Sequence, residues 1–150
     1  MKLVIGSDHA GLELKNDLLA HLSAVGHVVN DLGTYDSKSI DYPDYAEKVA
    51  LAVADGIAPL GILVCGSGQG MCMAANKVSG VRAAVCSDTF SAHAVREHND
   101  ANVLCLGQRV VGPGLAQEIV DTFLSAAFEG GRHARRVGKI MDLEKRQTQR

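Results

Sequence analysis

No stretch of this chain approaches the roughly 20 consecutive apolar residues that a membrane-spanning helix needs. Its opening residues, MKLVIGSDHAG, lack the pattern of a secretory signal. Together these absences predict a cytoplasmic protein with no membrane partner. Charge of one sign is scarce as well: the formal net charge is −2, and only the C-terminal end is mildly basic. That argues against a nucleic-acid surface spread over the protein, so no nucleic-acid partner is expected. The four cysteines, Cys65, Cys72, Cys86 and Cys105, form no CxxC pair. Three of them sit in or at the ends of apolar runs, which suits reduced thiols rather than a disulfide framework. Six histidines are present, yet no His/Cys/Asp group has the spacing of a zinc site, and no metal is expected. Internal repeats and low-complexity segments are also missing. What is there is apolar content: 47% hydrophobic residues over 150 positions supply one core, and a single domain over residues 1–150 is expected.

Strand-like and helix-like segments alternate along the chain. Lys2 to Ile5 reads as a strand, followed by the loop Gly6 to Gly11. Leu12, Leu14, Leu18, Leu19 and Leu22 then recur at helical spacing as far as Gly26. His27 to Leu32 reads as a second strand. The polar segment 34–43 ends in Tyr42-Pro43, which predicts an extended entry to a helix over Asp44 to Asp55. Ile62-Leu63-Val64, ending on Cys65, is a third strand and Met71 to Lys77 has helical character. Val81 to Cys86 and Asn102 to Leu106 are further strands, separated by a helix over Asp88 to His98. A helix after Gly112-Pro113-Gly114 carries Leu115, Ile119, Val120, Phe123 and Leu124 on one side, and Gly130-Gly131 breaks it. A last helix begins at Arg132, and the tail from Gln147 is expected to fray. Five strand–helix alternations with no room for hairpins predict a Rossmann-like three-layer αβα sandwich: a five-stranded parallel sheet, plus an extended C-terminal helix.

Ligands of such sheets gather beyond the carboxyl ends of the strands. Asp8, His9, Cys65 to Gly70 and Arg109 would collect there. Gly66-Ser67-Gly68-Gln69-Gly70 follows a buried strand and opens a helix, where free backbone N–H groups favour an anion. A cysteine facing such a loop can serve as a base or nucleophile; as a bare residue it is equally a small buried apolar one. The loop is GxGxG rather than the dinucleotide GxGxxG, although Asp88 follows about 20 residues on, where a ribose-binding carboxylate would be sought. A nicotinamide enzyme is weakly supported, because 150 residues leave no second domain for a substrate. The P-loop pattern is absent. Asp8 has a second reading as a helix cap, and Glu97 to Asn102 one as helix termination. His98 and Asn99 there also offer a proton donor and a hydrogen-bond fork. Arg132 and Arg136 stand four apart on one helical face, with Lys139 on the same side. This is either a solvated basic face or a phosphate grip.

Taken in order, GSDHAG (Gly6 to Gly11), DLGT (Asp31 to Thr34), DYP (Asp41 to Pro43), CGSGQGM with AANK (Cys65 to Lys77), HNDANVL (His98 to Leu104), GQRVVG (Gly107 to Gly112) and EGGRHARRV (Glu129 to Val137) resemble the type B ribose-5-phosphate isomerases and their galactose-6-phosphate isomerase relatives. The resemblance runs from Met1 to about Arg136. It implies a cofactor-free aldose–ketose isomerase that interconverts ribose 5-phosphate and ribulose 5-phosphate through an enediolate. Cys65 would take a proton from the carbon beside the carbonyl, the amides of Gly66, Ser67, Gly68, Gln69 and Gly70 would hold the enediolate, Ser67 would shuttle a hydroxyl proton, and His98 would assist ring opening. Asp8, His9, Tyr42 and Asn99 would contact hydroxyls or phosphate, with Arg109, Arg132 and Arg136 completing the substrate and phosphate contacts. The resemblance further implies a homodimer or homotetramer with a shared active site, the helix and tail 132–150 packing on a partner subunit. One branch of the family lacks the cysteine and carries glutamate at the position of Met71; Cys65 and Met71 side with the other branch. Gln69 departs from the small apolar residue common there and bears on substrate preference. A galactose or allose 6-phosphate isomerase, and a non-catalytic sugar-phosphate or nucleotide binder, are the alternatives.

Overall fold

The computed structural model describes residues 1–150. Five strands, β1 (Lys2–Ser7), β2 (Val28–Asp31), β3 (Leu60–Cys65), β4 (Ala83–Val85) and β5 (Val103–Gly107), pair in parallel in the order β2-β1-β3-β5-β4. The helices are α1 (Leu12–Ala24), α2 (Tyr42–Ala54), α3 (Gln69–Ala75), α4 (Thr89–Asn99), α5 (Pro113–Ser125) and α6 (Arg132–Thr148), and a 3-10 turn, His9–Gly11, leads into α1. Right-handed crossovers decide which face each helix takes. The connections β1→β2 and β4→β5 move one way along the sheet, β2→β3 and β3→β4 the other. Accordingly Leu14, Leu18 and Leu22 of α1, Ala92 of α4 and Phe123 of α5 share a core with Leu3, Ile5, Ile62 and Leu104. Ala46 and Val49 of α2 and Met71 of α3 share the opposite core with Val4, Leu63, Cys65 and Cys105. The expected αβα sandwich forms.

Several element boundaries differ from expectation, three of them for a clear local reason. Helix α2 starts at Tyr42 rather than Asp44, because Pro43 sits in the first turn, where its missing N–H has no partner to lose. Strand β4 is cut to three residues. It lies at the sheet edge, and side chains replace the ladder at its start: Arg82 N–H donates to Asn102 Oδ1 at 2.7 Å and Ala83 N–H to Asn76 Oδ1 at 2.9 Å. Helix α6 runs past Lys145 to Thr148, and the Glu144 carboxylate, which accepts from the Gly80 N–H at 3.0 Å, ties its last turns to its own chain.

Periodicity also conceals one charged core residue. Lys15 is fully buried in the stripe between Leu14 and Leu18. Its Nζ donates to both Asp31 oxygens at 2.7 Å and to the Thr34 carbonyl at 2.6 Å, which uses all three of its hydrogens. Asp31 accepts from Gly33 N–H at 2.9 Å as well, so α1 holds the loop after β2 in place. Asp31→Ala strands a buried ammonium and should lower unfolding free energy by about 3–5 kcal/mol. Lys15→Met, which keeps the stem and removes the charge, should cost far less. Urea denaturation of the pair of variants checks this; equal losses would mean that packing, not charge, decides.

Candidate active site

Strands β1 and β3 are neighbours whose onward connections leave in opposite directions, and this opens a crevice at their carboxyl ends. At the end of β1 the Asp8 N–H donates to the Val64 carbonyl at 3.2 Å. The Asp8 carboxylate is buried and accepts from Gly11 N–H at 3.0 Å, so its capping role is real. Gly11 is required there, because a Cβ would collide with the Val64 carbonyl. His9 accepts from Ile40 N–H through Nδ1 at 3.2 Å, which leaves Nε2 as the ring's donor at the edge of the crevice.

Strand alternation turns Cys65 toward the α2–α3 face, against the first turn of α3. Its Sγ accepts from the Gly68 N–H at 3.1 Å. Gly68 adopts φ +80°, and a Cβ there would press on Leu106 backbone at 3.1 Å. The Gln69 N–H donates to Ser67 Oγ at 3.3 Å, and Cys72 N–H begins the helical ladder by donating to Gly68 O at 3.2 Å. The Gly68 and Gln69 amides are therefore engaged, and within α3 those of Gly70 and Met71 have no carbonyl earlier in the helix to donate to. Arg109 lies over the loop: a Cβ on Gly66 would stand 3.2 Å from its Nη1, and its N–H donates to Gly66 O at 3.0 Å. The Tyr42 ring covers Gly70 so closely that a Cβ would fall 2.7 Å from its carbons. Asp8, His9, Tyr42, Cys65 to Gly70 and Arg109 thus meet at one edge. Cys65 itself is 5% exposed, while Ser67 and Gln69 beside it are exposed.

The remaining predicted residues lie elsewhere. His98 and Asn99 close α4, just before β5 begins at Val103, which is level with Gly61 at the amino end of β3. Four residue steps at about 3.3 Å separate that level from Cys65, so the two groups stand more than about 13 Å apart. Arg132 and Arg136 begin α6 beside them: Glu129 N–H donates to Glu97 O at 3.0 Å, and the His133 ring stacks on His98 with centroids 4.4 Å apart. Both arginines are exposed. One chain therefore brings together the strand-end group but not His98, Asn99, Arg132 and Arg136. Asp88, weighed above as a ribose ligand, is the N-cap of α4; Ser91 N–H and Oγ donate to its two oxygens at 2.7 and 2.9 Å and hold its carboxyl below the usual range.

Sequence reading passed over Gln108, whose N–H donates to Cys65 O at 2.9 Å while its Oε1 accepts from Leu14 N–H at 3.0 Å. Its place inside GQRVVG was the available signal. Cys72 was passed over too. Hydrogen bonds from the Cys105 thiol, the Val85 backbone and the Asn76 amide outweigh burial and lower its pKa to about 7. The Cys105 thiol is pushed well up by the same bond and by burial, and Cys86 is raised to about 11, chiefly by burial. Alkylation by iodoacetamide should show a midpoint near pH 7 at Cys72. At pH 7 Cys86 should react about a hundredfold more slowly or less, as read by peptide mass spectrometry. Comparable rates at the two sites would contradict these environments.

The largest cavity, about 690 Å³, lies away from Cys65, between α6 (Ile140, Met141, Glu144) and Arg82, Val95 and Ala101. No helix is long and apolar enough to cross a membrane. Residues 3–140 match the family model described as Ribose/Galactose Isomerase. The chain belongs to that family. This makes it an enzyme, an aldose–ketose isomerase, and the ribose/galactose isomerases include close relatives over its whole length. Ribose-5-phosphate isomerase B of Escherichia coli K12 is 52% identical over 147 residues, covering 98% of this chain and 99% of the relative. Among solved structures, ribose-5-phosphate isomerase B of Clostridium thermocellum is 54% identical with a TM-score of 0.97, covering 98% of this chain and 99% of that one. The Mycoplasma genitalium isomerase B, solved with bound ribulose-5-phosphate, is 49% identical with a TM-score of 0.92, covering 96% of each chain. The ribose/galactose isomerase fold extends here through α6, beyond the matched residues.

Proposed function

We propose that this isomerase interconverts ribose 5-phosphate and ribulose 5-phosphate through an enediolate, with Cys65 as the base, and that each complete site draws on two subunits. The observation that carries the reading is the position of Cys65 Sγ at the first turn of α3, beside amides that helical geometry leaves free. Relatives named for ribose 5-phosphate across nearly the full length support the substrate.

In the forward direction the Cys65 thiolate takes the C2 hydrogen of the open-chain aldose as a proton. The electron pair moves into the C1–C2 bond, and negative charge develops on O1. The Gly70 and Met71 amides face that charge. The proton returns to C1, and the O2 hydrogen passes to O1 by way of Ser67. The net change is one hydrogen from C2 to C1 and one from O2 to O1, with no redox partner. A positioned base contributes about 10²–10⁴ and each oxyanion donor about 10²–10³. His9 Nε2 and Arg109 reach the phosphate from one subunit; Arg132 and Arg136 of the partner subunit reach it from the other. Binding energy from that dianion holds the reacting end in place. His98 and Asn99 of the partner subunit open the ring and hold a hydroxyl, and Asp8 and Tyr42 contact the remaining hydroxyls. A homodimer is the smallest assembly that meets this requirement, and exposed Ile140 and Leu143 on α6 give the partner an apolar face to cover.

Comparison of sugar phosphates by kcat/KM tests the substrate. Ribose 5-phosphate should exceed allose 6-phosphate and galactose 6-phosphate by about 10–200-fold, the discrimination that one extra carbon unit allows. A higher value for either hexose would assign the exposed Gln69 and its loop to a wider pocket.

A further inference from the structure

Helices α4 and α6 meet through two imidazoles. The centroids of His98 and His133 are 4.4 Å apart, with an interplanar angle of 13°. The rings differ in freedom: His133 is 6% exposed, whereas the His98 side chain is 43% exposed. His133 arrives there through Gly130 and Gly131, whose φ values of +71° and +56° reverse the chain in a way that side-chain-bearing residues rarely follow. The Glu129 N–H bond to Glu97 O fastens that turn to α4.

A metal explanation suggests itself, since ligand atoms of His98, Glu129 and His133 lie within 4.8 Å of one another. The stack opposes it. A metal bound through imidazole nitrogen lies near the plane of the ring, and two nearly parallel rings 4.4 Å apart share no such point. The Glu129 carboxylate is 3.0 Å from His133 Nε2, but that nitrogen has no aligned hydrogen-bond partner, so Glu129 supplies charge rather than direction. Burial and the glycine turn hold the ring.

We propose that His133 is a positioning residue: its buried ring is the plate that confines the exposed His98 imidazole to one orientation. The inference rests on the reading that His98 serves ring opening. Beyond its stack on His133, the His98 ring has Glu97 Oε2 3.4 Å from its Nε2, on its own helix, and that same oxygen is 3.2 Å from His93 Nε2. A carboxylate shared in this way cannot by itself select a His98 rotamer. Misplacement of a reacting group by about 1 Å can cost up to about a hundredfold in rate. The plate therefore acts on the ring-opening step and leaves the proton transfer at Cys65 alone.

The test uses the full chain with His133→Leu, which keeps bulk and removes the flat ring, and His133→Phe, which restores it. Ribulose 5-phosphate provides the control substrate. The hydroxyl that would close its furanose is esterified, so it stays open-chain, and exchange of its C1 hydrogen with deuterated solvent needs no ring opening. His133→Leu should lower kcat for ribose 5-phosphate about tenfold and leave that exchange within about twofold, with His133→Phe near the parent enzyme in both. Crystals of His133→Leu should show His98 in more than one rotamer. A single unchanged His98 rotamer in that variant, or parallel loss of exchange and net turnover, would overturn the inference. Full ribose 5-phosphate turnover in His98→Asn, together with a disordered His98 in His133→Leu, would overturn the ring-opening reading and still support the positioning.

Discussion

Replacing Cys65 by alanine is expected to lower kcat for ribose 5-phosphate by about 10³-fold, within the 10²–10⁴ that a positioned base contributes. Affinity for the sugar phosphate should stay near that of the parent, because the phosphate contacts belong to other residues. Two features make the experiment clean. Alanine removes a single atom at a site that is 5% exposed, so the fold tolerates it. What is lost structurally is one hydrogen bond, from the Gly68 N–H at 3.1 Å, worth about 1 kcal/mol. Cys65→Ser separates packing from basicity: the hydroxyl fills the space and accepts from Gly68, yet is a far weaker base than a thiolate. Both variants should bind substrate by calorimetry and fail to exchange the C2 hydrogen of ribose 5-phosphate with deuterated solvent. Near-parental turnover in the serine variant would end the assignment of Cys65 as the base and leave the fold-level conclusions untouched.

The strand-end group is legible in the sequence because topology does most of the work. Once strands and helices alternate, Asp8, His9, Cys65 to Gly70 and Arg109 must lie at the carboxyl edge, and the fold holds them there. The same logic places His98 and Asn99 at the opposite edge, since they close a helix that returns to the start of a strand. Less was legible where a residue's role comes from partners distant in the chain. Lys15 interrupts an apolar stripe, and nothing in helical periodicity says that Asp31 and Thr34 will receive its ammonium. Cys72 reads as an ordinary helical thiol until β4 and β5 bring Val85 and Cys105 against it. The shortness of β4 depends on Asn76 and Asn102 taking over backbone bonds, which propensity does not register. For Cys65 the loop composition was informative, and its 5% exposure agrees with the burial that its place at the end of an apolar strand suggested. On the proposed reading a second subunit supplies part of the wall, and no reading of one chain reaches that part.

That last point leads to the most discriminating result expected of this protein, activity restored by mixing two inactive variants. On the proposed reading Cys65→Ala lacks the base, and Arg132→Ala/Arg136→Ala lacks two charge-assisted phosphate contacts at about 1.5–3 kcal/mol each, a loss of about 10²–10⁴ in kcat/KM. Both arginines are exposed, so their truncation does not open the core. Each variant alone should be nearly silent at low substrate. Co-expressed and randomly paired, half of the dimers contain one chain of each kind. In such a dimer one site combines the cysteine of the second variant with the arginines of the first and is intact, while the other site lacks both. About a quarter of all sites, and of parental activity, should return when a two-fold axis pairs the edges in this way. The separation of Cys65 from His98, Arg132 and Arg136 across the length of β3 and β5 is what makes the outcome sharp. A site completed within one chain would give no recovery at any mixing ratio. Recovery without dependence on subunit pairing, in separately folded and then combined dimers that do not exchange, would equally contradict the shared site.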